Sequence, residues 1–212
     1  MSTGGIKMTF HYPNGQSYLQ NNYQLSKHQF KETLTFSRRG MSLESDLNDS
    51  NKYYLATDRA VIHKKPTPIQ IVKVDYPKRS KAIIREAYFR QPSTTDYNGV
   101  YRGFYLDFDA KETKNKTAFP FRNFHTHQIE HMRHCLKQKA ICFAIIRFVS
   151  LNRIFLVPAP YLITKWDQQN CGGRKSISFN EICKNSYEIK YALNPIIPYL
   201  DAVDKFIEDN NI

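Results

Sequence analysis

Two aspartates and one lysine between positions 96 and 111 have the residue types that metal-dependent phosphodiester hydrolysis requires. Asp109 follows Asp96 by thirteen positions, and Lys111 comes two positions later. Carboxylate oxygens favour hard cations, and Mg²⁺ is commonly held by one or two carboxylates together with waters and a substrate phosphate. A lysine beside that metal could orient the attacking water or neutralise charge developing on the phosphorane. These residues are therefore predicted to be catalytic, with Asp96 and Asp109 as Mg²⁺ ligands.

The segment that carries Asp109 alternates strictly between apolar and charged side chains, which is typical of a strand. One face holds Leu106, Phe108 and Ala110, and the other holds Asp107, Asp109 and Lys111. If Arg102-Gly103 is a two-residue hairpin turn, Asp96 lies opposite Asp109 and Thr94 lies opposite Lys111. Like charges in facing positions destabilise a sheet by up to roughly 1 kcal/mol. The facing aspartates are therefore expected to bind a cation or to have a raised pKa.

The spacing alone is equally compatible with a structural interpretation. Asp96 would then belong to a turn, and Asp107, Asp109 and Lys111 would form a solvated strand face with one ion pair. Patterns this short also occur by chance. The catalytic interpretation therefore depends on the basic character of the chain and on neighbouring motifs.

Hydrophobic periodicity predicts a mixed α/β domain around these residues. Ser42 is positioned to cap a helix that runs toward Thr57. Further helices are predicted at 123–137 and near 161–168, 179–185 and 196–209, and strands at 60–63, 139–148 and 153–157. Residues 1–34 are predicted to be a flexible arm and residues 35–212 a nuclease domain, into which residues 66–90 insert as a protruding basic stalk. The expected architecture is a mixed central sheet flanked by helices.

The composition indicates one globular domain with a polyanionic partner. There are 31 Lys and Arg against 19 Asp and Glu, a formal net charge of +12, which favours nucleic acid or an acidic membrane surface. The four cysteines form no CxxC pair and are expected to be reduced thiols without an assigned role. The longest apolar run is far shorter than the roughly 20 residues of a membrane-spanning helix. A cytoplasmic protein without a membrane partner is therefore predicted.

Several longer motifs resemble one family of nucleases. They are Lys64-Lys65-Pro66-Thr67-Pro68, Asp75-Tyr76-Pro77-Lys78-Arg79-Ser80, Thr94-Thr95-Asp96-Tyr97-Asn98-Gly99-Val100-Tyr101, Ala110-Lys111-Glu112-Thr113-Lys114, and Asn123-Phe124-His125 with His127-Gln128-Ile129-Glu130-His131-Met132. Together they closely resemble the RecU family of Holliday junction resolvases from Gram-positive bacteria, within the PD-(D/E)xK nuclease superfamily. The likeness runs from about Arg39 to the last helix, and motifs of this length in fixed order are highly specific.

The resemblance implies a restriction-endonuclease-like mixed sheet, a homodimer, one or two Mg²⁺ ions per subunit and paired nicking of four-way junctions. Asp96, Asp109 and Lys111 fall on the family's catalytic positions. The family usually has Glu where this chain has Asp109, so the carboxylate here is retracted by one methylene. Thr94 and Gln128 match positions near that site and are expected to be further metal ligands, with Gln128 also a catalytic candidate.

Other candidate site residues have structural alternatives. Glu44 on the first helix and Thr95 are candidate accessory residues, but a solvated helix face explains Glu44 nearly as well. Gln128 could instead have a packing role. His127 and His131 have the i, i+4 spacing of zinc ligands, yet no third ligand is evident, so a polar helix face is favoured.

The segment from His63 to Arg90 has eight basic residues and two acidic ones. Such residues can neutralise phosphates and give salt-sensitive affinity, although a charge run is usually only a solvated face. The residues predicted to bind DNA are Lys64, Lys65, Lys73, Lys78, Arg79, Lys81 and Arg85. In the resembling family this projection enters the junction.

The leading expectation is thus a dimeric Holliday junction resolvase, a crossover junction endodeoxyribonuclease of homologous recombination and DNA repair. Its partners would be four-way junction DNA, a second copy of the chain, and a recombinase with branch-migration machinery. One alternative is a less selective DNA endonuclease of the same superfamily. Another, from a different class, is an accessory protein that binds or anneals DNA, or modulates a recombinase, without cutting.

Overall fold

The computed structural model of the protein describes residues 42–75, 82–90 and 94–212. The helices are α1 (Leu43–Ala56), α2 (Thr126–Lys137), α3 (Ala159–Asn170), α4 (Phe179–Asn185) and α5 (Tyr199–Asn210). The strands are β1 (Val61–Lys64), β2 (Ile69–Asp75), β3 (Ile83–Phe89), β4 (Tyr97–Tyr101), β5 (Phe104–Thr113), β6 (Ala118–Pro120), β7 (Ile141–Phe148), β8 (Arg153–Pro158), β9 (Ser176–Ser178) and β10 (Tyr187–Ile189). The predicted arm at 1–34 lies outside the described residues.

A six-stranded mixed sheet in the order β1-β4-β5-β7-β8-β10 forms the centre of the larger compact unit, which includes residues 42–68 and 89–212. Only the β5–β7 pair is parallel among these neighbours, and the other pairs are antiparallel. The predicted mixed central sheet flanked by helices is confirmed. Among the described residues, no helix has the length and apolar composition needed to cross a bilayer.

Helices pack on both faces of the sheet, and its central strand β7 is buried along nearly its whole length. On one face, Phe108 and Phe143 stack with centroids 4.7 Å apart and belong to the core that α1 and α5 close. On the other face, Ala144 and Ile146 of β7 belong to a second core with α2 and α3. Strands that are buried on both faces are expected at the centre of such a sheet. The middle of β5, from Leu106 to Asp109, is also buried, so polar side chains there are removed from water.

The hairpin between β4 and β5 has the predicted register. Arg102 and Gly103 both have positive φ angles, 51° and 85°, as a type I′ turn requires. Tyr101 pairs with Phe104, and the ladder continues to Tyr97 opposite Phe108. The chain direction then brings the next residue on each strand, Asp96 and Asp109, to facing positions.

The segment Ile69–Tyr88 belongs to a separate compact unit, in which β2 and β3 form a two-stranded sheet. Every described residue of β3 is exposed, as is most of β2. The extended segments predicted within 66–90 are thus present. The turn at 76–81 lies outside the described residues.

Other differences from the predicted elements are local. Helix α2 begins at Thr126 and not at 123, because a 3₁₀ turn at Phe121–Asn123 precedes it. Helix α5 begins at Tyr199, directly after Pro198. The sequence did not predict β6, β9 and β10, since three residues are too few to show a period of two.

Gly99 allows β1 and β4 to approach closely. A Cβ at this position would lie 2.1 Å from the carbonyl oxygen of Val61 and 2.6 Å from Cα of Ile62. Backbone atoms cannot move aside as a flexible side chain can. The glycine is therefore required by contact with the neighbouring strand.

Replacing Gly99 with Ala should lower the free energy of unfolding by about 2–3 kcal/mol, because the added methyl group must displace strand β1. Urea denaturation followed by circular dichroism measures the change. Val100→Ala is the matched control, since Val100 lies on the same strand and is half exposed. Equal stability of the two variants would show that β1 adjusts without cost.

Candidate active site

Contacts on both sides of Asp96 hold the start of β4 in place. Lys65 donates its backbone N–H to the carbonyl oxygen of Asp96 at 2.8 Å. The next residue, Tyr97, is fully buried, and its ring stacks on Phe108 with centroids 4.9 Å apart. The Tyr97 hydroxyl donates to Oδ1 of Asn48 on α1 at 3.1 Å. These contacts fix the backbone from which the Asp96 carboxylate extends.

Asp109 lies in the middle of β5 and is completely buried. The ammonium Nζ of Lys111 lies 2.8 Å from Oδ2 of Asp109 and 3.8 Å from Oδ2 of Asp96. With both carboxylates ionised, neither oxygen of Asp109 accepts a hydrogen bond of good geometry from the described residues. The three predicted catalytic side chains are thus in contact, and one of them is a buried carboxylate with unused acceptor capacity.

The pKa values of Asp96 and Asp109 are shifted in opposite directions. Burial, followed by the hydrogen bond with Asp96, raises the pKa of Asp109 well above its ordinary value. Burial also opposes ionisation of Asp96, but the hydrogen bond with Asp109 and the charge of Lys111 lower the pKa of Asp96 overall. Two close carboxylates commonly share one proton in this way. Asp96 therefore ionises more readily than Asp109, because the two carboxyl groups and Lys111 act on each other in opposite directions.

Asp96 and Lys111 line a cleft of about 270 Å³ between the start of α1 and strands β4 and β5. Glu44 also lines this cleft, but its side chain is half exposed and forms an ion pair with Lys64. Glu112 fixes the opposite wall, because its Oε1 accepts the backbone N–H of Leu43 at 3.0 Å. The cleft is therefore lined by three carboxyl groups, those of Asp96, Glu44 and Glu112, and by the ammonium of Lys111.

A second buried carboxylate, Asp107, lies two residues before Asp109 on the same strand face. Lys65 Nζ lies 2.7 Å from its Oδ2, and His131 Nε2 lies 3.2 Å from the same oxygen. The Tyr105 hydroxyl donates to Oδ2 at 3.2 Å, and the Thr95 hydroxyl donates to Oδ1. Asp107 is thus surrounded by donors and by a cation, as a buried charge requires.

The fold places Asp107, Cys135 and Lys65 beside His131, and the sequence did not reveal these contacts. One ligand atom each from Asp107, His131 and Cys135 lies within 4.8 Å of the others. Lys65 Nζ, however, lies 3.5 Å from His131 Nε2 as well as against Asp107. A positive charge therefore already occupies the place that a metal ion would take, which favours a structural role for this cluster.

The interpretation of residues 107–111 as a solvated strand face is wrong, because Asp107 and Asp109 have no exposed surface. The sequence signal that could have shown this is the parallel neighbour β7, an almost unbroken apolar run. A strand beside such a run is buried on both faces. Its charges then need partners inside the protein.

The other predicted site residues have contacts of their own. Thr94 is partly buried and donates its hydroxyl to the carbonyl oxygen of Thr95 at 3.2 Å. The Thr95 hydroxyl is occupied by Asp107. Gln128 is buried at the third position of α2, where its Oε1 accepts the backbone N–H of His125 at 3.1 Å. The structural alternative for Gln128 is thus realised as a helix cap, which leaves its carbonyl oxygen one further lone pair.

The residues predicted to bind DNA differ in how far their side chains are exposed to solvent. Lys65 is largely buried against Asp107, which favours a structural role over a phosphate contact. Lys73 is exposed on β2, and Arg85 on β3 pairs with Asp75 at 2.6 Å while both side chains stay largely exposed. Lys78, Arg79 and Lys81 lie outside the described residues.

Replacing Lys65 with Met should lower the free energy of unfolding by about 3 kcal/mol, because Asp107 would remain buried without its cation. Chemical denaturation of the metal-free protein measures the loss. Lys64→Met is the matched control, since its ion pair with Glu44 is largely exposed and should contribute less than about 1 kcal/mol. A loss below about 1 kcal/mol in Lys65→Met would contradict the role given to this pair.

Comparison with known proteins identifies the family. The family model described as "Recombination protein U" matches residues 38–205. The chain is 63% identical over 204 residues to Holliday junction resolvase RecU of Lactiplantibacillus plantarum, covering 96% of this chain and 99% of that protein. It is 60% identical over 203 residues to the protein of the same name from Latilactobacillus sakei, covering 94% and 97%. The chain belongs to the RecU family.

Proposed function

We propose that this chain is a Mg²⁺-dependent Holliday junction resolvase that makes paired symmetric nicks in four-way DNA junctions. The observation that carries the proposal is the fully buried carboxylate of Asp109, which faces Asp96 and lies 2.8 Å from the ammonium of Lys111. The matched family region contains all three residues. The relatives described above are named for the same activity.

The residues at the site fit a hard divalent cation. Two carboxylate oxygens have about four acceptor positions, so the contacts of Asp109 with Lys111 and Asp96 leave acceptor capacity for a ligand. Carboxylate oxygens are the ligands that Mg²⁺ prefers. Asp96 and Asp109 would hold one or two ions per subunit, with Thr94 and Gln128 as further ligands. Because the carboxyl pair shares a proton, binding should release that proton.

Lys111 is placed to act on the reacting phosphate. Its Nζ lies 5.6 Å from the centre of the Phe124 ring, which restricts its position beside both carboxylates. A bound Mg²⁺ would polarise the phosphate and lower the pKa of a coordinated water. The Lys111 ammonium then stabilises the added negative charge while the water oxygen bonds to phosphorus and the ester P–O bond breaks. The water gives up one proton and the departing alkoxide takes one.

Two equivalent cuts require two equivalent sites, and an isologous homodimer supplies them. Exposed apolar side chains of β2 and β3, at Ile71, Val72, Ile83 and Ile84, support burial against a second copy. Junction DNA is expected to contact Lys73 and Arg85 of the same two strands. Further partners would be a recombinase and branch-migration machinery, and the place of action would be the cytoplasm.

Replacing Asp96 with Asn should reduce junction cleavage at least about 100-fold, the scale of removing one preorganised charged group, while leaving junction affinity nearly unchanged. An end-labelled four-way junction and a linear duplex of equal length are incubated with protein in Mg²⁺ or EDTA and resolved on a denaturing gel. Asp209→Asn is the control, because it removes an exposed carboxylate of α5.

Symmetric nicks in the junction alone, only with Mg²⁺, are the expected result. Nicking of the duplex at the same rate would favour the less selective endonuclease. Junction binding without any nicks would favour the accessory DNA-binding protein. Full activity of Asp96→Asn would place the chemistry elsewhere in the chain.

Replacing Asp109 with Asn should stabilise the metal-free protein. Folding raises the pKa of the Asp109 carboxyl group above its value in the unfolded chain, near 3.8. As the pH rises above that value, ionisation of the group therefore favours the unfolded state increasingly. The variant should therefore melt about 2–4 °C above the unchanged chain at pH 8 in EDTA, corresponding to about 1 kcal/mol, with a smaller difference at pH 5. Differential scanning calorimetry measures both.

Mg²⁺ should raise the melting temperature of the unchanged chain and have little effect on Asp109→Asn, because the variant lacks one ligand. Asp209→Asn should behave like the unchanged chain throughout. A variant that melts lower in EDTA at both pH values would show that the Asp109 carboxylate stabilises the fold without metal.

A further inference from the structure

A second cleft of about 460 Å³ lies beside the 3₁₀ turn at Phe121–Asn123 and the end of α3. Its walls are formed by Pro120, Phe121, Arg122, Phe124, Trp166, Gln169, Asn170 and Lys175. The set combines aromatic rings, two cations and two amides, and it contains no acidic residue. Its volume falls within the range of roughly 300–1,000 Å³ that is usual for small-ligand sites.

Backbone and ring contacts build this cleft. Phe121 donates its backbone N–H to the carbonyl oxygen of Lys175 at 3.0 Å, which ties the cationic wall to the aromatic one. The rings of Phe121 and Trp166 meet edge to face with centroids 5.6 Å apart. Phe121 is buried, whereas Trp166 is only partly buried. One aromatic surface therefore stays available beside two cationic side chains.

The cleft adjoins the catalytic centre through Phe124. Phe124 lines the cleft, and its ring centre lies 5.6 Å from the ammonium of Lys111. One residue thus borders both the catalytic lysine and the second cleft. This shared border makes the strand that is cut the natural occupant of the cleft.

We propose that this cleft binds one unpaired nucleotide of the strand being cut, with its base against Trp166 and its phosphate at Arg122 and Lys175. The inference rests on the proposed function for the source of the strand. Stacking on aromatic rings and pairing with cations are how single-stranded nucleic acid is commonly held. The bases of a four-way junction can unpair at the crossover, which supplies such a nucleotide.

The polarity of the cleft orients the nucleotide. Gln169 and Asn170 end α3, and the carbonyl end of a helix favours hydrogen-bond donors over anions. The base edge, with its N–H donors, therefore belongs on the side of these amides. The phosphate belongs on the side of Arg122 and Lys175. The nearest acid along α3, Asp167, is paired with Arg133 at 2.9 Å.

Trp166 is the sole tryptophan of the chain, so its fluorescence reports on the cleft directly. Full-length protein in EDTA is titrated with a short oligothymidylate, an intact four-way junction, a blunt duplex of equal length and thymidine monophosphate. Saturable quenching by the oligothymidylate and by the junction is expected. No quenching by either, or quenching by the duplex alone, would overturn the proposal.

Charge variants test the phosphate contact. In the double variant Arg122→Ala/Lys175→Ala, the slope of log affinity for oligothymidylate against log salt should fall by about 0.7 for each lost phosphate contact, the magnitude for single strands. Lys184→Ala/Lys205→Ala removes the same charge from exposed positions on α4 and α5 and should leave the slope nearly unchanged. Equal effects of the two double variants would show unspecific attraction and would contradict the site.

Labelled-oligothymidylate anisotropy tests the stacking contact independently of tryptophan emission. Trp166→Ala should weaken binding about 5-fold or more, and Trp166→Phe should retain most of the affinity because it keeps a ring. Equal affinity of the Ala variant and the unchanged chain would refute stacking. All of these measurements use uncut DNA without metal. They therefore test nucleotide binding in the cleft independently of whether the protein cleaves junctions.

Discussion

A hairpin register that brings Asp109 into a buried position opposite Asp96 is the constraint on which the rest of the site depends. The type I′ turn at Arg102 and Gly103 sets that register, and the stacked Tyr97 and Phe108 rings maintain it. Facing carboxylates would repel each other if both were ionised. The ammonium of Lys111 lies against both carboxyl groups, and their opposite pKa shifts reduce that repulsion. We propose this pair as the cation site.

The two buried carboxylates of β5 differ in the partners that the fold gives them. Asp107 has its counter-charge built in, since Lys65 and His131 approach the same oxygen and the Thr95 hydroxyl covers the other. Asp109 lacks such a set of donors among the described residues. Asp107 is satisfied within the fold, whereas Asp109 is the proposed metal ligand. Lys65 also donates its backbone N–H to Asp96, so the Asp107 cluster supports the backbone of the proposed catalytic pair.

Local sequence rules predicted the parts of the site that depend on short-range geometry. Strand alternation and a two-residue turn are sufficient to place Asp96 opposite Asp109, and the structure has that register. The role of Lys65 could not be predicted, because its partner Asp107 is 42 residues away and the contact depends on how β1 joins the sheet. Burial of both strand faces likewise depends on helices distant in sequence. The three-residue strands were too short to produce a recognisable pattern.

The most direct test of the central claim is an anomalous difference map from a crystal of the metal-free protein soaked with Mn²⁺, which shares the oxygen preference of Mg²⁺. We expect a peak bounded by the carboxylates of Asp96 and Asp109, with the cluster of Asp107, His131 and Cys135 remaining without a peak. A peak at that cluster alone, or no peak beside Asp109, would contradict it.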